Sequence, residues 1–96
     1  MLNNVAISGR MASDVELRKS KTKGKNVTNF TIIVPRDNDC GKADKIPCIA
    51  WDRNAELVAG YCGKGKKVTV SGRLETRVSD GIYVIELNAK KIYFDD

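Results

Sequence analysis

A single change of hydrophobic period constrains this chain more than any other feature. The run Lys45-Ile46-Pro47-Cys48-Ile49-Ala50-Trp51 alternates with period two, and from Asp52 to Gly63 the apolar residues recur with a period of about 3.6. Alternation sends Cys48 and Ala50 to one face of a strand and Lys45, Pro47, Ile49 and Trp51 to the other. In the helix that follows, Leu57, Val58, Tyr61 and Cys62 form one apolar stripe. Asp52 is placed to cap the start of that helix, and Gly63 to end it in a left-handed cap.

On both sides of the helix the period is two. Val5, Ile7, Gly9 and Met11 alternate with Asn4, Ala6, Ser8 and Arg10, with Gly9 a bulge or a point of close approach. Val15 and Leu17 are expected to continue this strand, and the basic stretch 19–25 to form the loop of a long hairpin. A second strand over residues 27–34 sets Thr28, Phe30, Ile32 and Val34 against Asn29, Thr31 and Ile33, and Pro35 closes it. Residues 36–44 are polar and turn-rich and read as an exposed loop. After the helix, Val68, Val70, Gly72 and Leu74 alternate with Lys67, Thr69, Ser71, Arg73, Glu75 and Arg77. Ser79-Asp80-Gly81 is a tight-turn signal, and a last strand over 82–94 carries Tyr83, Ile85, Leu87 and Ala89 on one face. Five strands with one short helix after the third are the layout of an all-β, partly open Greek-key oligonucleotide-binding barrel, here a single domain over residues 1–96.

Composition narrows the functions such a barrel can have. The chain has no histidine, no phosphate-binding glycine loop and three cysteines, Cys40, Cys48 and Cys62, without a C-x-x-C pair. Neither a catalytic acid–base pair nor a metal centre has positive support, so the expectation is a non-enzymatic protein without cofactors, with reduced thiols. No apolar stretch approaches the roughly 18 residues of a membrane span, and the start Met-Leu-Asn-Asn lacks a basic segment followed by an apolar one, so a cytoplasmic product is the expectation. Seventeen Lys and Arg against twelve Asp and Glu give a net charge of +5, which favours a polyanionic partner. The cations cluster: Arg18, Lys19, Lys21, Lys23 and Lys25 lie on the first hairpin, and Lys64, Lys66 and Lys67 surround Gly65.

These positions define a candidate nucleic-acid surface. Trp51, beside Lys45 on the outer face of the third strand, offers a platform for a flat base near its phosphate; the alternative is an indole packed in the core. Arg73 and Arg77 are fixed on an outer face by their strand period, with Glu75 between them as a candidate ion-pair partner. Arg18, Lys21, Lys23 and Lys25 as a group, Lys64 and Lys67 behind the helix, and Arg53 at its start are candidate phosphate contacts. Tyr83, just past the last turn, is a candidate source of additional stacking area.

Several segments together resemble bacterial and phage single-stranded DNA-binding proteins: Met1-Leu2-Asn3-Asn4-Val5, Ser8-Gly9-Arg10, Asp14-Val15-Glu16-Leu17-Arg18, Asn29-Phe30-Thr31, Trp51-Asp52-Arg53-Asn54-Ala55-Glu56, Lys64-Gly65 and Ser71-Gly72-Arg73-Leu74-Glu75-Thr76-Arg77. They span nearly the whole chain in the family's order. The resemblance implies a protein that coats single-stranded DNA without sequence preference in replication, recombination or repair, and that forms dimers or tetramers, with residues 3–10 as the subunit contact and Ile46 near it. Of the aromatics the family stacks bases on, Trp51 is kept, while the other positions fall on Lys45, near Asn38 and near Ser79. This implies a binder that leans on electrostatics. The chain stops at Tyr93-Phe94-Asp95-Asp96, so the expectation is a short form lacking the family's acidic tail and its tail-dependent partners. The alternative reading is an adaptor resembling the primosomal replication protein, which grips replication proteins and holds single-stranded DNA as a second ligand. A translation-factor-like RNA barrel is the third.

Overall fold

A computed structural model describes residues 1–38 and 41–95, with the backbone alone at residue 95. In chain order the elements are β1 (Val5–Met11), β2 (Arg18–Lys19), β3 (Asn26–Pro35), β4 (Ala43–Trp51), α1 (Asp52–Tyr61), β5 (Lys67–Ser79) and β6 (Ile82–Asp95). The sheet runs β1-β5-β6-β4-β3-β2, and β1 also pairs with β3 through Arg10↔Ile33 and Met11↔Ile32. That second pairing closes β1, β5, β6, β4 and β3 into a five-stranded barrel. All ladders are antiparallel except β4 with β6, where Cys48 lies beside Leu87 and Ile49 beside Asn88.

The core follows from the alternation. Met11, Phe30, Ile32, Cys48, Ala50, Val68, Val70, Leu87 and Ala89 point inward and are buried, and α1 packs against the strands with Ala55 and Val58, joined by Cys62 just after the helix. Closure demands one close approach: a Cβ on Gly9 would collide with the Ile33 carbonyl where β1 crosses β3, so the position needs glycine for space. The β5–β6 hairpin turns through Asp80 and Gly81 at φ 52° and 78°, the primed turn an Asp-Gly pair favours.

The structure corrects several expectations. The first strand ends at Met11; residues 12–17 form a bent connection rather than a continuation through Val15 and Leu17. Buried Thr28 holds this connection by donating from Oγ1 to the Glu16 carbonyl at 3.0 Å, and Asp14 Oδ1 accepts from the Lys64 backbone N–H at 2.8 Å. Such tethers replace a ladder that local alternation alone would favour. Asp52 makes no side-chain capping bond; it sits at φ 54° in the sharp strand-to-helix corner, with Trp51 as the helix N-cap. Gly63 is not the left-handed residue after the helix; Gly65 is, at φ 84°. Tyr61, placed on the apolar stripe, is exposed and meets Phe94 edge-on at 5.9 Å instead of entering the core. Cys40 lies outside the described residues.

Candidate nucleic-acid interface

The outer face of the barrel is continuous across five strands because directly paired residues share a face. One row runs Arg18–Val27–Trp51 from β2 through β3 to β4. A second runs from Asn29 through Ile49 to Asn88 and Arg73. Beyond it Glu75 lies opposite Glu86, and Arg77 opposite Val84. Trp51 is thus on the face that alternation assigns it, half-buried, and is the direct cross-strand partner of Val27, a buried residue that belongs to this face rather than to the core cluster.

The hairpin between β2 and β3 folds back over this row. Lys23 Nζ stands 5.1 Å from the centre of the Trp51 ring, and Lys25 Nζ lies 4.0 Å from Asp52 Oδ2. Together with Arg53 and Lys90 these cations rim an open pocket of about 540 Å³ whose walls are Trp51, Glu75 and Asn88. An indole, four cations against the two carboxylates of Asp52 and Glu75, and room for a nucleotide therefore meet in one place. Arg18 donates to Asn29 Oδ1 and extends the cationic rim along β3. Lys21 is exposed near the tip of the same hairpin and does not line the pocket.

The other candidate residues divide among three places. Lys64 and Lys67 line a second pocket of about 690 Å³, with Arg10, Ile33 and Pro35. Lys45 is exposed opposite Ile33, on the stretch of outer face between the two pockets. Arg73 and Arg77 face outward as their period requires, but each already has a carboxylate: Arg73 Nε lies 3.6 Å from Glu75 Oε2, and Arg77 Nε donates to Glu86 Oε1 at 3.1 Å. Tyr83 pairs with Val78 and alternates away from Arg77, so it stands on the opposite face of the hairpin from Trp51. There it joins Leu74, Val78 and Ile85 as an exposed apolar strip.

Sequence reading passed over Glu86 and Asn88, only 6% and 7% exposed, and Lys90. The signal for the first two was present, since residues 86 and 88 alternate with Leu87 and Ala89. Lys90 has the same parity as Glu86 and Asn88 and stays on their face although the ladder shifts register there, pairing Ser71 with Lys91 but Gly72 with Ala89. Behind the face, burial and then the nearby Glu86 charge push the Cys48 thiol up to about 12, and burial raises Cys62 as well. Neither thiol is poised to react.

The single-strand binding protein family matches residues 2–95. This chain belongs to that family. It is 38% identical over 97% of its length to single-stranded DNA-binding protein 3 of Clostridium acetobutylicum, and covers 70% of that relative. It is 40% identical over 98% of its length to the single-stranded DNA-binding protein of Halalkalibacterium halodurans, covering 61% of it, and 39% identical to single-stranded DNA-binding protein A of Bacillus subtilis, covering 59%. The chain thus spans between about three-fifths and seven-tenths of these relatives. The barrel, its single helix and the Trp51 face all lie within the family match.

Proposed function

We propose that residues 1–96 act as one non-enzymatic unit that binds and coats single-stranded DNA, in the service of replication, recombination or repair inside the cytoplasm. The observation that carries this reading is the Trp51 pocket: an aromatic face in an open groove, rimmed by Lys23, Lys25, Arg53 and Lys90. A base stacked on an aromatic is worth roughly 1–3 kcal/mol by alanine substitution, and the rim supplies phosphate contacts that need no sequence. Lys23 lies over the ring in the free protein and must move aside, at about 0.5–1 kcal/mol for an exposed cation–π contact. Freed, its ammonium becomes available to a phosphate. Among the described residues no helix is long and apolar enough to cross a membrane.

Self-association belongs to the same reading. From Val5 to Arg10 strand β1 is paired with β5 along one edge, while its other edge meets β3 only at Arg10 and Met11. Open backbone donors and acceptors at residues 5–8 are a template for a second copy, and this supports β1 as the subunit contact. The test of the proposal is competition: labelled oligo-dT bound to the protein is challenged with unlabelled single-stranded and duplex DNA. Single strands should displace the probe at far lower concentration, and long single strands should fill cooperatively at lattice density. Equal competition by duplex, or one stoichiometric copy on a long strand, contradicts a coat and favours an adaptor.

A further inference from the structure

The β2–β3 hairpin does more than carry charge to the rim of the pocket. Its tip is braced from within. The Ser20 N–H donates to the Lys25 carbonyl at 2.8 Å, the Gly24 N–H to the Ser20 carbonyl at 3.0 Å, and the Lys23 N–H to Ser20 Oγ at 3.3 Å. Gly24 makes the reversal at φ 64°, a conformation that suits glycine. From this compact turn two lysines reach the strand-to-helix corner together. Lys25 Nζ lies 4.0 Å from Asp52 Oδ2, and Lys23 Nζ stands 5.1 Å from the centre of the Trp51 ring. An ammonium within about 6 Å of an aromatic centroid is attracted to the ring face. Lys23 and Trp51 both line the pocket, so the ammonium covers the indole on the side a ligand would use. Lys21, on the same tip, is exposed and does not line the pocket.

We propose that Lys23 is a built-in competitor for the Trp51 platform: it caps the ring in the free protein, and a stacking base displaces it toward a phosphate. One side chain thus opposes stacking and favours the backbone, and salt sets which effect wins. This rests on the proposal that the pocket binds single-stranded DNA, and adds an autoinhibitory contact to it. The phosphate contact acts through counterion release, so its advantage grows by about 0.7 in log K for each tenfold fall in salt below about 1 M. The cap costs binding about two- to five-fold, the worth of an exposed cation–π contact, and involves no counterion of the DNA. The two effects balance between about 0.1 and 0.3 M salt. Below that range Lys23 helps binding, and above it Lys23 hinders.

The experiment measures binding of one long oligo-dT to wild type, Lys23→Ala and Lys21→Ala from about 0.05 to about 1 M salt. Alongside it, acrylamide quenching of Trp51 emission is compared in the three free proteins. Lys23→Ala should bind more weakly than wild type at the low end and cross it near 0.1–0.3 M. At about 1 M it should bind about two- to five-fold more tightly. Its indole, uncapped, should be quenched more readily by acrylamide. Lys21→Ala removes a charge from the same hairpin without uncovering the ring. It should bind no more tightly than wild type at any salt and leave the quenching unchanged. Three results overturn the inference while leaving DNA binding intact: Lys23→Ala never tighter than wild type, the same crossover in Lys21→Ala, or acrylamide quenching unaffected by Lys23→Ala. If wild type binds no oligo-dT at any salt, the proposed function fails, and the acrylamide comparison alone decides whether Lys23 caps the ring.

Discussion

Replacing Arg77 by Ala tests how the outer face tolerates its own carboxylates. The Glu86 side chain keeps only 7% of its area in solvent, its Oε1 accepts from Arg77 Nε at 3.1 Å, and Glu75 lies directly opposite it across the β5–β6 ladder. Without the guanidinium, the Glu86 carboxylate is left without its counter-charge in a site largely closed to water and opposite a second carboxylate. Breaking a fully buried ion pair from one side costs about 3–5 kcal/mol. Arg77 is itself 51% exposed, so solvent screens part of that interaction, and the expected cost is about 1–3 kcal/mol. In a domain of this size that corresponds to a melting temperature roughly 5–20 °C lower. Because Gln needs no counter-charge, Arg77→Ala combined with Glu86→Gln should recover most of the loss. Urea unfolding of wild type, both single variants and the double variant gives the coupling directly. An Arg77→Ala variant within about 0.5 kcal/mol of wild type, or a double variant no more stable than Arg77→Ala alone, refutes the reasoning.

Three further outcomes are expected. Gly72→Ala should destabilise by about 1–3 kcal/mol in urea melts, because its Cβ would collide with the Asn88 carbonyl oxygen, a backbone atom that cannot turn away. In a Cys40→Ser background neither remaining thiol should react with a disulfide reagent near pH 8 until denaturant is added, since Cys48 is held up to about 12 and Cys62 is raised as well. Their raised thiols also make stability fall as pH climbs past the ordinary thiol value of about 8.5, where unfolded thiols ionise first, and the Cys48 contribution should be lost progressively up to about 12. The joint variant Lys23→Ala, Lys25→Ala should make the log–log salt dependence of DNA binding shallower by about 1.4, two phosphate contacts at about 0.7 each. Arg77→Ala should leave that slope nearly unchanged, because its guanidinium is already held by the nearly buried Glu86 at 3.1 Å.

Most of the barrel could be read from local alternation. The β4 strand shows why: burial follows its period from Lys45 through Trp51, and the same rule puts Val68 and Val70 inside and Arg73 outside. Reading failed where the chain departs from a period. The bend after Met11 is held by tethers from Thr28 and Lys64, 12 and 50 residues from their partners, and nothing local announces them. Tyr61 keeps helical phase with Val58 but is exposed and meets Phe94 on the surface instead of the core. Tyr83 has the parity of buried Leu87, yet the hairpin there has run past the core, so that face is exposed and turned from Trp51. The candidate site was legible at Trp51, whose face is set by alternation. Its wall was legible only as a face: alternation sets residues 86 and 88 opposite Leu87 and Ala89, but a Glu or Asn in a strand gives no sign of burial until its partners, here Arg77 and Glu75, are known.

The central claim, that Trp51 is the platform on which single-stranded DNA is held, is tested most directly by its own emission. Trp51 is the chain's only tryptophan, so titration with oligo-dT of increasing length at two salt concentrations reports on this one ring. Strong quenching is expected that saturates with bound DNA and requires more DNA at higher salt, and Trp51→Ala should weaken binding by roughly 1–3 kcal/mol with the urea midpoint little changed. Emission that stays constant at saturating oligo-dT, while anisotropy of a labelled strand confirms that it is bound, would contradict it.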